Sequence, residues 1–155
     1  MISVELDASR AALKLTRIDE QTRTALRGAI VSLTQSLATM VRAKLSGGVL
    51  NVRSGRLLAS IQSQLIENTT SIYGRVSSNG VPYAAIHEFG GVIKHPGSSK
   101  FQAWMGPGGM VYTHFTRPHD IPMPERSYLR SSLAEMQAEI VERMTTAVRG
   151  AARAA

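Results

Sequence analysis

Two apolar stripes at helical spacing, one toward each end of the chain, limit most strongly what this sequence can fold into. Leu26, Ile30, Leu33, Leu37 and Met40 recur in steps of three and four, and so do Leu129, Leu133, Met136, Ile140, Met144 and Ala147. Each series lays one apolar face along an amphipathic helix. The chain between them is cut by glycine and proline into short segments that read as strands. Two helices that must bury a face, and strands that need cover, satisfy each other in one layered domain. The expected fold is α+β, with a long N-terminal helix and a C-terminal helix packed on a small antiparallel β-sheet, one face of each helix covering it. At 155 residues the chain suffices for a single domain, 1–155, with a real core.

The first helix is expected to begin near Ile18, with Asp19 and Glu20 where a helix N-terminus favours negative charge. Gln35 and Arg42 fall opposite the stripe and Arg27 at its edge. Lys44 continues the stripe, its stem packed and its charge reaching water. Ser46-Gly47-Gly48 ends the helix. The last helix should open at Glu125 or Ser127, carry the pair Glu139–Arg143 on its outer side, and end at Gly150 with a frayed tail over 150–155. At the other end, Ile2 to Leu6 alternates apolar and polar residues, a short strand or a loose arm within 1–17, and 11–15 could add a helical turn.

In the middle, Ser54 can cap a short turn through Ala59. Segments 61–66 and 71–76 read as a strand pair joined by the polar turn 67–70. Pro82 then starts one or two helical turns over 83–89, with Tyr83, Ile86 and Phe89 facing a core and Gly90 supplying the left-handed exit. A short strand follows over 92–95. Segments 101–105 and 110–115 flank Gly106-Pro107-Gly108-Gly109, a projecting β-hairpin with a flexible tip. It carries Trp104, Met105, Tyr112 and Phe115, residue types that serve either a partner interface or a core. Residues 117–124 hold three prolines and should be extended.

Composition removes several functions. There is no cysteine, so disulfides and thiolate metal sites are excluded. No apolar run approaches the ~20 residues a membrane span needs, so no membrane is expected as partner. The opening residues lack the basic start and apolar stretch of a signal peptide, which points to synthesis in a cytosol. His87, His95, His114 and His119 invite a metal reading. Gly91, however, stands where the second histidine of a helical H-E-x-x-H site belongs, and no metal is expected. Gly106, Gly108 and Gly109 lack the Lys-Ser/Thr of a phosphate loop, and no G-x-S-x-G motif is present. Nothing in the sequence joins Glu88 and Asp120 as an acid–base pair. No catalytic residue and no cofactor are expected. The formal charge is +7 and arginine outnumbers lysine 14 to 4. From Gln21 to Ile66 the chain holds Arg23, Arg27, Arg42, Lys44, Arg53 and Arg56 and no acid. That stretch is either a surface for DNA or an acidic partner, or an ordinary solvated helix face. With no aromatic residue in it, any DNA contact would be nonspecific and to phosphates.

Three segments carry a resemblance. Tyr83-Ala84-Ala85-Ile86-His87-Glu88-Phe89-Gly90 resembles the Y-A-x-x-x-E-F-G signature of small virion-assembly proteins of tailed bacteriophages, the tail-completion or head–tail connection family. Ser54-Gly55-Arg56-Leu57-Leu58-Ala59-Ser60-Ile61 is similar to the family's T-G-x-L-x-x-S-I. Met123-Pro124-Glu125-Arg126-Ser127-Tyr128-Leu129 resembles its I-P-x-R-P-F-L, with Ser127 where proline is usual and Tyr128 where phenylalanine is frequent. The resemblance covers roughly residues 54 to 130 and implies a structural protein of the virion neck, joining tail to DNA-filled head. It implies a ring of identical subunits, expected as a hexamer, with stopper, terminator or tail-tube proteins as neighbours and DNA in the channel. It also implies that Gly55, Tyr83, Glu88, Phe89, Gly90, Pro124, Arg126, Tyr128 and Leu129 are structural motif residues. For Glu88 the expected role is to hold a backbone N–H or a nearby arginine where its helical turn ends. A tail-terminator ring and a nonspecific DNA-binding protein are the alternatives.

Overall fold

The computed structural model describes residues 2–6, 20–50, 54–97, 102–105, 111–114 and 117–154. Its elements are β1 (Ile2–Leu6), α1 (Glu20–Ala43), α2 (Arg56–Ala59), β2 (Ile61–Glu67), β3 (Ile72–Ser78), α3 (Ala84–Phe89), β4 (Gly91–His95), β5 (Gln102–Met105), β6 (Val111–His114), β7 (His119–Met123) and α4 (Leu129–Ala154). The fold is α+β with a long helix toward each end of the chain, as the apolar stripes require.

The strands form one three-stranded sheet and two ribbons, one of them the expected hairpin. β3 runs between β1 and β2, antiparallel to both, while β4–β7 and β5–β6 are separate two-stranded ribbons. Ile2 to Leu6 is thus a strand paired to β3. The possible turn at 11–15 lies outside the described residues. Asn68 organises the β2–β3 turn: its side-chain oxygen accepts from the backbone N–H groups of Thr70 (3.0 Å) and Ser71 (2.7 Å), the Asx pattern that makes asparagine a turn residue.

Helix α1 lies between the three-stranded sheet and α4. Covering two neighbours widens its buried arc beyond one stripe, so Thr34, Ala38 and Val41 join Leu26, Ile30, Leu33 and Leu37 inside, while Met40 is only half-buried. Buried Thr34 satisfies its hydroxyl by donating to Ile30 O at 2.7 Å. β3 passes so close there that a Cβ at Gly74 would fall 1.8 Å from Thr34 Oγ1. Helix α4 does not cover the sheet as expected; it runs mainly along α1 and reaches the sheet at β1. Lys44 Nζ donates to Ser131 Oγ and Glu135 Oε1, and Arg143 donates to Ser32 Oγ. Those pairs set the helices antiparallel, and the Lys44 charge meets a carboxylate instead of open water. The shared core gathers Leu33, Leu37, Val41, Leu45, Ile61, Val76, Tyr128, Leu129 and Met136.

Several boundaries differ from the sequence expectation. A wide helical turn over Lys44–Gly48 follows α1, and Gly47 at φ 121° takes a conformation that side chains disfavour. Ser54 makes no cap; Gly55, at φ 70°, occupies the N-cap position of α2. Helix α4 continues through Gly150 to Ala154, with Ala151 buried. Alanine's helix propensity and that contact carry the helix past the glycine.

Candidate functional site

The three segments that carry the sequence resemblance lie together around one groove, and the second and third meet at the start of α4. That helix opens at Leu129, later than expected, and has no acidic residue in its first turn. Its unpaired N–H groups need acceptors, and Glu88 supplies them from another element. Glu88 Oε2 accepts from the backbone N–H groups of Tyr128 (2.8 Å) and Leu129 (2.9 Å). Its Oε1 accepts from Arg130 N (2.9 Å), Ser127 Oγ (2.8 Å) and Arg130 Nε (3.2 Å). Ser127 Oγ in turn accepts from Ser131 N at 3.2 Å. A carboxylate at 0 % exposure thus caps a helix 41 residues downstream, with the helix's positive end and a guanidinium compensating its charge. Burial pushes the Glu88 carboxyl up; the N–H groups of Leu129, Arg130 and Tyr128 and the Ser127 hydroxyl outweigh it and hold the group below its ordinary 4.5.

Placing Glu88 inward turns the rest of α3 over. The buried face holds Ala84 and Glu88, one helical turn apart. Tyr83 and Phe89, expected in the core, are 36 % and 54 % exposed. Phe89 instead lies under the Arg130 guanidinium, 4.6 Å from ring centre to carbon, a cation–π contact. At Gly90 (φ 69°) the chain bends against the segment before α4, where a Cβ would meet Glu125 N at 2.8 Å and Met123 O at 3.0 Å. Arg126 N donates to His87 O at 2.8 Å, and β4 pairs with β7 immediately beyond. Tyr128 is fully buried; burial first, then the Glu88 charge, push its hydroxyl up to about 12.

Beside this junction lies a groove of about 810 Å³. The first motif segment contributes Ser54, Gly55, Leu57 and Leu58, the second Tyr83 and His87, the third Met123 and Arg126. The end of α1 and the turn after it close the floor with Leu45, Val49 and Leu50. The His87 ring meets Tyr83 edge-on, with centroids 5.9 Å apart. Burial, and secondarily the Arg126 charge, hold His87 below its ordinary 6.5, so among the described lining residues the positive charge at neutral pH belongs to Arg126.

The remaining residues singled out in the sequence are spread over the molecule. Arg23 and Arg27 both pair with Glu67, at 2.8 and 3.2 Å, and Arg42 donates to Ile61 O at 2.9 Å. Arg56 is exposed on α2, and Arg53 lies outside the described residues. Trp104 is in register with Tyr112 and Met105 with Val111 along the β5–β6 ribbon; Phe115 lies outside the described residues. His95 and His119 stack at 4.9 Å across the β4–β7 ribbon. Among the described residues no group of three metal-ligating side chains converges. Asp120 is exposed opposite Lys94, while Glu88 is committed to α4. The sequence reading missed Ser127 and Arg130 as partners of Glu88. The signal was a lone carboxylate in an apolar helical turn, set against a later helix start with no acid of its own.

Comparison with known proteins finds no match to this chain among protein-family models, curated proteins or solved structures.

Proposed function

We propose that this chain is a structural virion-assembly protein of a tailed phage or prophage, a neck component that joins the tail to the DNA-filled head by binding proteins, not by catalysis. The observation that carries the reading is the convergence of the three resembling segments. Segments separated in sequence by tens of residues line one groove, and the second and third of them share one hydrogen-bonded junction. Chance likeness in three short stretches gives no reason for them to meet. In this reading the Glu88 junction keeps the face rigid, and subunits associate in a ring, which requires one patch of each copy to meet a different patch of the next. The β5–β6 ribbon with Trp104, Met105 and Tyr112 is the proposed arm toward a neighbour. Arg23, Arg27 and Arg42 serve the fold through Glu67 and Ile61 O, which weakens the case for DNA binding.

The test is electron microscopy of a lysate from the phage deleted for this gene. Full heads beside separate tails of normal length are expected. Tails of uncontrolled length would move the protein to tail termination, and intact infectious particles would refute a virion role.

A further inference from the structure

The groove beside the Glu88 junction has a chemistry that selects its occupant. Leu45, Leu57, Leu58 and Met123 give it apolar wall segments, and Ser54, His87 and Arg126 give it polar ones. Its volume of about 810 Å³ falls in the range of clefts that bury a ligand. Two of the lining residues, Val49 at 40 % exposure and Tyr83, are open to solvent, which suits a partner that reaches into the cleft from outside. Tyrosine, methionine and arginine are the types enriched where protein partners meet, and all three are present.

Charge narrows the choice further. Among the described residues no lining residue is acidic. The nearby carboxylates are engaged elsewhere, Glu88 with α4 and Glu125 with Arg130 at 2.7 Å. Arg130 is occupied by both; Arg126, by contrast, has no carboxylate partner among the described residues. Its exposed guanidinium stands at the groove with His87 neutral beside it. Arg126 is the one cation among the described lining residues, and its planar fork beside a partly apolar cleft matches a carboxylate; a nucleic acid backbone would call for several cations along a track.

We propose that this groove docks an extended segment of another protein, which inserts an apolar side chain against Leu57 and Leu58 and places a neighbouring carboxylate on Arg126. Binding of such a segment follows from the groove alone. That its owner is a neck or tail protein rests on the functional reading above.

The experiment is an NMR titration of the ¹⁵N-labelled full chain with two synthetic peptides, acetyl-Glu-Leu-Phe-Glu-amide and acetyl-Gln-Leu-Phe-Gln-amide. The acidic peptide should shift the amide signals of Leu57, Leu58, Tyr83, His87 and Arg126, and bind about tenfold more tightly than the neutral one, the worth of one charge-assisted contact. Arg126→Gln, at an exposed position that leaves the core intact, should remove that preference, and Arg126→Glu should reverse it. Equal binding of both peptides, or no shift at these residues at millimolar peptide, overturns the proposal. It is overturned equally if a DNA duplex shifts the same signals at lower concentration, or if they shift on dilution of the free protein, which would make a second copy the occupant. None of these outcomes alters the lysate test, so the two proposals fail separately.

Discussion

Replacing Glu88 by glutamine preserves its size and one carbonyl oxygen but removes the charge that α4 is built on. If the amide oxygen keeps the Oε2 position, it retains the N–H groups of Tyr128 and Leu129. The –NH₂ then occupies the Oε1 position and confronts Arg130 N and the Arg130 guanidinium, both donors. The Ser127 hydroxyl can rotate to accept; Arg130 cannot. Hydrogen bonds to a charged group contribute about 1.5–3 kcal/mol each. The partial exposure of Arg130 discounts its side-chain term, so the loss should be about 3 kcal/mol. Glu88→Ala goes further. It strands two buried N–H donors, at about 1–3 kcal/mol each, and opens a cavity, for a loss of about 5 kcal/mol. A domain of this kind is stable by only about 5–15 kcal/mol, so the alanine variant should be near its unfolding threshold at room temperature. Urea denaturation followed by circular dichroism checks both, with the midpoint lowered and the slope unchanged. The glutamine variant should melt roughly 6–12 °C below the parent. Because the carboxylate is buried, added salt should leave the difference in place. A glutamine variant within about 1 kcal/mol of the parent at neutral pH would refute the idea that this charge fixes the start of α4.

Two glycines should respond to alanine with opposite signs. Gly90→Ala puts a Cβ against backbone atoms at φ 69° and should cost about 3 kcal/mol, whereas Gly28→Ala, in α1 with nothing within 4 Å, should stabilise by about 0.5–1 kcal/mol in the same urea assay. The pH profile of stability should be a plateau with three edges. His87 lies below 6.5 in the fold, so stability is complete above that value and declines as pH falls beneath it. Glu88 lies below 4.5, so its contribution is present above 4.5 and lost on further acidification, a step that Glu88→Gln should abolish. Tyr128 is raised from 10.0 to about 12, so stability should fall again as pH rises through that interval. Urea midpoints measured across pH locate the edges, and a midpoint that rises from pH 6.5 to 5 would contradict the account.

How far the sequence could be read depends on whether the deciding interactions were local. The stripes of α1 and α4, the turn at Asn68, the β2–β3 and β5–β6 strand pairs and the positive-φ glycine at Gly90 follow from neighbouring residues and their spacing, and all were legible. Spacing also marked Tyr83 and Phe89 as core residues. That reading failed because burying the Glu88 carboxylate dictated which side of α3 faces inward. A buried charge uncompensated by donors costs more than an aromatic ring loses by staying partly in water. The start of α4 shifted for the same reason, since its cap lies on another element. Sequence likewise showed Arg23, Arg27 and Arg42 as an acid-free run, but Glu67 and Ile61 O reach them only across the fold.

What the sequence determined by itself is the α+β class, the two helices and the three segments on which the functional reading depends. Only the tertiary structure decided that the second and third segments join through Glu88, that all three line a groove with Arg126 as its unpaired cation among the described residues, and that Arg23, Arg27 and Arg42 find partners across the fold. The physical reason is that burial and periodicity are inscribed along the chain, whereas the partner of a charge is chosen by whichever distant residues packing brings within about 3 Å.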